Sequence, residues 1–234
     1  MSRSRQGTLI SFRPDIKVVD CTLRDGGLVN NFAFTDEFVK DLYLANMKAG
    51  VDYMEFGYKA SSEIFNPDNF GKWKFCHEKD IRNIVGDNKT DMKISVMADV
   101  GRTDYKKDIL NRKDSVIDLI RVATYINTIP AAIEMLEDAK KKGYETTVNI
   151  MAVSKVNDED LDGGLELLAQ SSVDVIYLVD SFGAFYPEQI ERLCDKYLNV
   201  AAKYNKKIGI HAHNNQQLAF ANTIEALSRG ASYL

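Results

Sequence analysis

Gly209-Ile210-His211-Ala212-His213-Asn214-Asn215 places two of the chain's 3 histidines two residues apart at the end of an apolar run. Side chains at i and i+2 of a strand share a face, roughly 6–7 Å apart at ~3.3 Å rise per residue. Two imidazoles so placed can converge on one divalent ion at about 2.1 Å each. A catalytic ion takes a third protein ligand and keeps positions open. Asp25, in Asp20-Cys21-Thr22-Leu23-Arg24-Asp25-Gly26-Gly27, is the candidate carboxylate. The histidine pair alone could equally be two satisfied polar residues at a strand end.

The elements that would carry these residues read as alternating strands and helices. Apolar, β-branched runs at 16–21, 51–57, 92–98, 116–123, 146–152, 173–179 and 207–213 predict strands, and an eighth begins at Ala231. Between them the apolar spacing switches to three and four. Thr35 is a predicted N-cap for a helix whose buried face is expected at Phe38, Leu42, Ala45 and Ala49, with Gly50 as its stop. Ile129, Ala132, Ile133, Leu136 and Ala139 form a second such face, and Ile190, Leu193, Cys194, Tyr197, Leu198 and Ala201 a third behind Pro187. Repeated βα units imply a parallel sheet with helices on its faces.

Polar residues recur at the predicted C-terminal ends of the strands: Arg24 and Asp25, Glu55 and Lys59, Asp99, Arg121, Asn149, Asp180 and Ser181, and the two histidines. An open sheet gathers chemistry at one switch point. A closed (β/α)8 TIM barrel builds it at the rim of every strand, and this is the predicted fold. Taken singly, Ser181 or Asp99 reads more simply as a helix cap. The long connection from Tyr58 to Lys79 follows strand two, so it is expected to act as a lid or specificity loop, with an ordinary surface excursion as the alternative. His77 lies within it and reads as a surface residue.

At 234 residues and 45% hydrophobic, the chain can bury one sizeable core; the predicted organisation is an N-terminal extension over 1–15 and a barrel domain over 16–234. A net charge of −4 argues against a nucleic-acid or anionic-membrane surface, which needs a positive field. Cys21, Cys76 and Cys194 are few and widely spaced, as expected of reduced thiols in a cytoplasmic protein. Neither a signal peptide nor an apolar run of membrane-spanning length is visible. Small molecules are the expected partners, with a homodimer left open.

Five separated motifs, Thr22-Leu23-Arg24-Asp25-Gly26, Glu55-Phe56-Gly57, Arg121-Val122-Ala123-Thr124, Val179-Asp180-Ser181-Phe182-Gly183 and His211-Ala212-His213-Asn214-Asn215, together resemble the DRE-TIM metallolyase superfamily. The resemblance runs in order from residue 16 to residue 234. It is similar above all to the 4-hydroxy-2-oxoacid aldolase branch. It implies a divalent metal held by Asp25, His211 and His213, Mn²⁺ or Mg²⁺ with Zn²⁺ or Co²⁺ as alternatives. It also implies Arg24 and Glu55 as signature residues, Arg24 stabilising a developing oxyanion and Glu55 orienting it. The expected reaction interconverts a 4-hydroxy-2-oxo acid with pyruvate and an aldehyde. Arg121, Asn149, Asp180 and Ser181 are the expected substrate-binding residues.

Two departures bear on this expectation. Aldolases of the superfamily carry an acid/base histidine shortly after Arg-Asp-Gly, where this chain reads Gly27-Leu28-Val29-Asn30-Asn31. The rim groups of suitable chemistry are Lys59, Tyr58, Tyr125 and Tyr186, of which Lys59 and Tyr125 are taken as catalytic candidates. The eighth strand reaches only Leu234, so the natural protein is expected to continue with the rest of that strand and a covering helix. A Claisen-type acyl-CoA synthase or lyase and a silent barrel acting as a binding module are the alternative functions.

Overall fold

The computed structural model describes residues 13–234. In chain order its elements are β1 (Val19–Asp20), α1 (Thr22–Asn30), α2 (Asp36–Ala49), β2 (Tyr53–Tyr58), α3 (Glu78–Val85), β3 (Lys93–Asp99), α4 (Tyr105–Asp108) and β4 (Leu119–Thr124). They continue with α5 (Ile129–Lys141), β5 (Glu145–Ile150), α6 (Asp158–Gln170), β6 (Val175–Asp180), α7 (Pro187–Lys203), β7 (Lys207–Ala212) and α8 (Ala219–Arg229). Every neighbouring pair from β1 to β7 is parallel, in sequence order. Parallel neighbours need a crossover, which the helices supply.

The sheet curls until its two edges meet on residues 231–234. Tyr233 bridges Lys17 on one side and Gly209 in β7 on the other. The Ile210 amide donates to the Tyr233 carbonyl at 2.9 Å, and those of Lys17 and Val19 to Ser232 and Leu234 at 2.7 and 2.8 Å. This is the expected (β/α)8 barrel, with an eighth strand that is incomplete at the chain end. The first strand is shorter than the predicted 16–21, because the chain turns into α1 directly after Asp20.

Strands β2, β4 and β6 are buried along their whole length, as strands covered on both faces must be. The larger apolar cluster lies between sheet and helices and includes Phe56, Ile94, Ile120, Leu136, Ile176 and Tyr197. A second, smaller one fills the barrel itself with Val19, Tyr53, Leu119, Val175, Tyr177 and Tyr233. Tyr177 sits opposite Gly209 in the register. A Cβ at Gly209 would stand 2.7 Å from the Tyr177 ring, so only glycine lets that ring fill the space below His211.

Two expectations are corrected. The Arg-Asp-Gly-Gly stretch, to which the sequence assigned no element, is a helix, ending where Asn31 turns left-handed and its amide bonds the Gly27 carbonyl. Helix α2 begins and ends where expected, with the Thr35 side chain accepting from the Phe38 amide and Gly50 left-handed at its C-terminus. Its buried face, however, is Val39, Tyr43 and Asn46, one residue round from the predicted stripe. Phe38 instead stacks on Phe34 at the surface, ring centroids 5.4 Å apart. Finally, the 58–79 connection is a packed strap with Trp73, Phe75 and Cys76 buried, tied to the end of α1 by the Gly71 amide on the Asn31 carbonyl at 2.8 Å. Among the described residues no helix is long and apolar enough to cross a membrane. The predicted extension over 1–15 lies mostly outside the described residues.

Candidate metal centre

The short β1 delivers the chain to the C-terminal rim, and the first turn of α1 holds Arg24 and Asp25 there. Strand β7 brings His211 to the same rim, inward-facing beside Val179 in the register, and His213 follows it. The three groups converge. One ligand atom each from Asp25, His211 and His213 lies within 4.8 Å of the others. Asp25 Oδ2 is 3.1 Å from His211 Nε2 and 3.8 Å from His213 Nε2. The two rings stand edge to face at 4.8 Å between centroids.

The orientation of the rings suits ligation. His213 Nδ1 lies 2.8 Å from the carbonyl oxygen of Asp180, which can only accept, so the neutral ring carries its proton on Nδ1 and turns the Nε2 lone pair toward Asp25. His211 Nε2 faces a guanidinium nitrogen of Arg24 at 3.4 Å, a pure donor. Lone pairs of two imidazoles and a carboxylate thus face one another and require positive charge among them. All three residues are half-buried, which leaves further ligand positions open toward solvent. This donor set fits a divalent ion of intermediate hardness.

Charge is tuned accordingly. Burial opposes ionisation of Asp25, yet contacts from both histidines and the charge of Arg24 hold its carboxyl far below the usual carboxylate range. Burial, reinforced by Arg24, pushes His211 below its ordinary value toward the neutral form a metal needs. The contact with Asp25 raises His213.

Beneath the centre lies a buried ion network. Glu55 is fully buried; its Oε2 accepts from Arg24 Nε at 2.8 Å and from Arg121 Nη1 at 2.7 Å. Burial pushes the Glu55 carboxyl up, but the two guanidinium charges bring it below its ordinary value. Arg24 also contacts Asp25 through Nη1, so one side chain links the buried carboxylate to the candidate ligand. Arg121 lies 4.7 Å over the Tyr177 ring and touches Cys21, whose thiol burial pushes up to about 12.

The other expected site residues separate by partner. Arg121 is buried at the floor as a second clamp on Glu55, not on the open rim where a substrate contact was expected. Asn149 faces inward at the top of β5, buried, with its Oδ1 free of protein partners among the described residues. Both Asp180 oxygens accept backbone amides, from Ala184 at 3.0 Å and Phe185 at 3.1 Å, so this carboxylate builds the turn after β6. The Ser181 hydroxyl accepts from the Ala152 amide at 2.9 Å, so it ties down the turn after β5 instead of capping a helix of its own. Lys59 points away from the centre into the helix layer and donates to the Cys76 carbonyl at 2.7 Å, so the expected catalytic position is corrected. Tyr125 is exposed and opens a short helical turn with Thr128, and Tyr186 likewise starts α7, neither in contact with Arg24 or Asp25.

On the β2 side Tyr58, one of the expected rim groups, joins a wall whose other members, Phe32 and Lys74, the sequence did not point to. A register shift between Glu55 and Tyr58 turns both side chains to the barrel interior, where strict alternation would oppose them. Tyr58 is buried edge-on against Phe32, with the Lys74 ammonium 4.6 Å over its ring. Burial, with Asp99 and Glu55, pushes its phenol above the ordinary range, while the facing Arg24 opposes that shift.

Residues 15–234 match the HMGL-like family along nearly the whole chain. The chain belongs to the HMGL-like family. Among HMGL-like relatives, a 4-hydroxy-2-oxovalerate aldolase of Geobacillus genomosp. 3 is 28% identical over 225 residues, covering 93% of this chain and 63% of the relative. One from Nocardia farcinica is also 28% identical, over 94% of this chain and 63% of its own length. The chain thus spans under two thirds of the curated relatives it matches. The N-terminal domain of a candidate aldolase from Bacteroides vulgatus superposes with a TM-score of 0.80 at 28% identity, covering 93% of this chain and 71% of that one. The HMG-CoA lyase of Brucella melitensis, 16% identical over 93% of this chain and 79% of its own, shares the fold with a TM-score of 0.67.

Proposed function

We propose that this HMGL-like protein is a divalent-metal-dependent aldolase that makes or cleaves the C3–C4 bond of a 4-hydroxy-2-oxo acid, with pyruvate and an aldehyde as the fragments. The convergence of Asp25, His211 and His213 beside an arginine fixed by a buried carboxylate carries this reading. A divalent ion held by these residues, Mn²⁺ or Mg²⁺ with Zn²⁺ or Co²⁺ as alternatives, would polarise the 2-oxo group as a Lewis acid. The aldolase names of relatives aligned over most of the chain support the same chemistry.

The chain's own part is electrostatic. As the C3–C4 bond breaks, its electron pair moves into the pyruvate fragment and negative charge collects on the 2-oxo oxygen. Arg24 presents a planar donor fork beside that position, already oriented by Glu55 and so needing no rearrangement. Arg121 fixes Glu55 in turn. Cleavage also frees the 4-hydroxyl proton, which is balanced, through solvent at the open rim, by the proton that the enolate takes up at C3 to become pyruvate. The place of the family histidine is taken by Leu28 and Val29, which are exposed. Of the other rim groups, Tyr58 is the one that the register shift in β2 turns to the interior with Glu55, the partner of Arg24, and we assign it the hydrogen bond to the 4-oxygen. Residues 16–234 form the catalytic domain in this reading.

The experiment is pyruvate release from 4-hydroxy-2-oxopentanoate and longer homologues, followed with lactate dehydrogenase. Release is expected with Mn²⁺ or Mg²⁺, lost on chelation, and reduced at least about 100-fold in Asp25→Asn. Metal-loaded protein that releases pyruvate from none of these acids would remove the reading.

A further inference from the structure

A cleft of about 560 Å³ opens on the same rim over β4, β5 and β6, and none of the metal-centre residues lines it. That volume lies in the range of small-molecule sites. Its walls are Tyr125, Met151, Val156 and Phe182. Tyr125 and Phe182 are 49% and 40% exposed, two large rings left facing solvent across one concavity. Lys155 stands at its edge with Nζ 4.7 Å over the Phe182 ring. The nearest carboxylate in sequence, Asp158, is held by Arg192 and Lys196, and among the described residues Lys155 pairs with none. The cleft on the opposite mouth of the barrel differs: there Lys93 pairs with Glu145, Lys140 with Asp174 and Lys17 with Asp52.

The rim cleft is built and joined to the metal centre. Ala152, a non-glycine residue in the left-handed region at φ 55°, turns the chain after β5 so that Lys155 and Val156 face the cleft, and the Ser181 hydroxyl holds its amide at 2.9 Å. The Phe182 carbonyl accepts from Asn215 Nδ2 at 2.8 Å, two residues beyond His213, while the carbonyl of Asp180 holds the His213 ring. A substrate whose 2-oxo-acid head sits between β1 and β7 therefore has this cleft beside it on the rim.

We infer that the cleft binds the part of the substrate remote from the 2-oxo-acid head, and that this part is an aldehyde fragment with a flat or apolar body ending in an anionic group. The two rings and Met151 bury the body. The unpaired Lys155 ammonium supplies the counter-charge at the far end. Selectivity needs both features, because a single exposed ion pair contributes little alone. The inference rests on the aldolase reading for its account of the head, but the cleft can be tested without turnover.

The probe is 4-(hydroxymethyl)benzoate, the unreactive alcohol of an anionic aromatic aldehyde, with benzyl alcohol as its uncharged counterpart; binding to the metal-loaded protein is titrated by NMR. The benzoate is expected to bind at least about tenfold more tightly than benzyl alcohol. Lys155→Ala should erase that difference and leave benzyl alcohol unchanged, and Phe182→Ala should weaken both. Exchange of pyruvate methyl protons with solvent, which reads the metal centre alone, should persist in both variants. A benzoate preference that survives Lys155→Ala, or no binding of either probe to protein that still exchanges pyruvate protons, overturns the inference while sparing the aldolase reading. Lys155-dependent binding in a protein that exchanges no pyruvate protons would support the cleft and sink the aldolase reading instead.

Discussion

Arg24 uses all three guanidinium nitrogens at once: Nε on Glu55, Nη1 on Asp25 and Nη2 facing His211. A lysine ammonium is a point charge on a flexible stem and cannot make that fork. Arg24→Lys is therefore expected to fold and keep its metal yet lose about 100-fold or more in pyruvate release, a loss typical of a missing pre-organised donor; near-normal turnover would end the oxyanion role. Glu55→Gln leaves two buried guanidiniums facing a neutral amide, so a loss of about 3–5 kcal/mol in urea unfolding is expected. The histidine pair and Asp25 were legible in the sequence because the two-residue strand period fixes His211 and His213 on one face. The partners of Asp180, Ser181, Lys59 and Arg121 were not legible. A polar residue at a strand end shows its rim position in the sequence, but whether it meets a backbone amide, a buried carboxylate or a substrate depends on neighbours contributed by other strands.

At the scale of elements, the irregularity in β2 sets the wall of the site. Phe56 turns outward onto Trp73, ring centroids 5.5 Å apart, while Glu55 and Tyr58 both reach the interior. Gly57 makes this fit: a Cβ there would stand 1.9 Å from the Trp73 carbonyl oxygen, so backbone rather than a yielding side chain blocks it. Gly57→Ala should destabilise the protein by about 1–3 kcal/mol, read as a lowered urea midpoint, and loosen the strap carrying Trp73 and Lys74. An unchanged midpoint would show that the strap moves aside freely. The helices with a first-turn proline and clean apolar stripes, α5 and α7, were readable from sequence. Helix α1 was not, since paired glycines at 26 and 27 lower its intrinsic propensity and packing decides instead: Gly27 leaves room for the Phe32 ring, which a Cβ would meet at 2.1 Å. The shift in the buried face of α2 has a similar origin, because Phe34 offers Phe38 a stacking partner at the edge of the core.

Over the whole molecule, four residues close the barrel. Residues 231–234 give both edges of the sheet their partners, so removing them exposes unpaired backbone on β1 and β7 at once. Deleting 231–234 should convert the protein to aggregating species on size exclusion, whereas a monodisperse, fully folded product would mean that closure contributes little. Polar residues at the ends of successive strands made the barrel, and not just a parallel sheet, readable from the sequence, whereas the way Tyr233 joins both edges emerged only from the register. Closure also fixes the distance between α1 and β7, on which the meeting of Asp25 with the two histidines depends. The central claim, that this meeting activates a 2-oxo acid, is tested most directly by the exchange of pyruvate methyl protons in deuterated water without any aldehyde. The account predicts exchange that requires a divalent metal and vanishes in the His211→Ala, His213→Ala double variant. Protein shown to hold its metal that exchanges no methyl protons anywhere between about pH 6 and 9, where Brønsted acid–base chemistry at such a site operates, would contradict it.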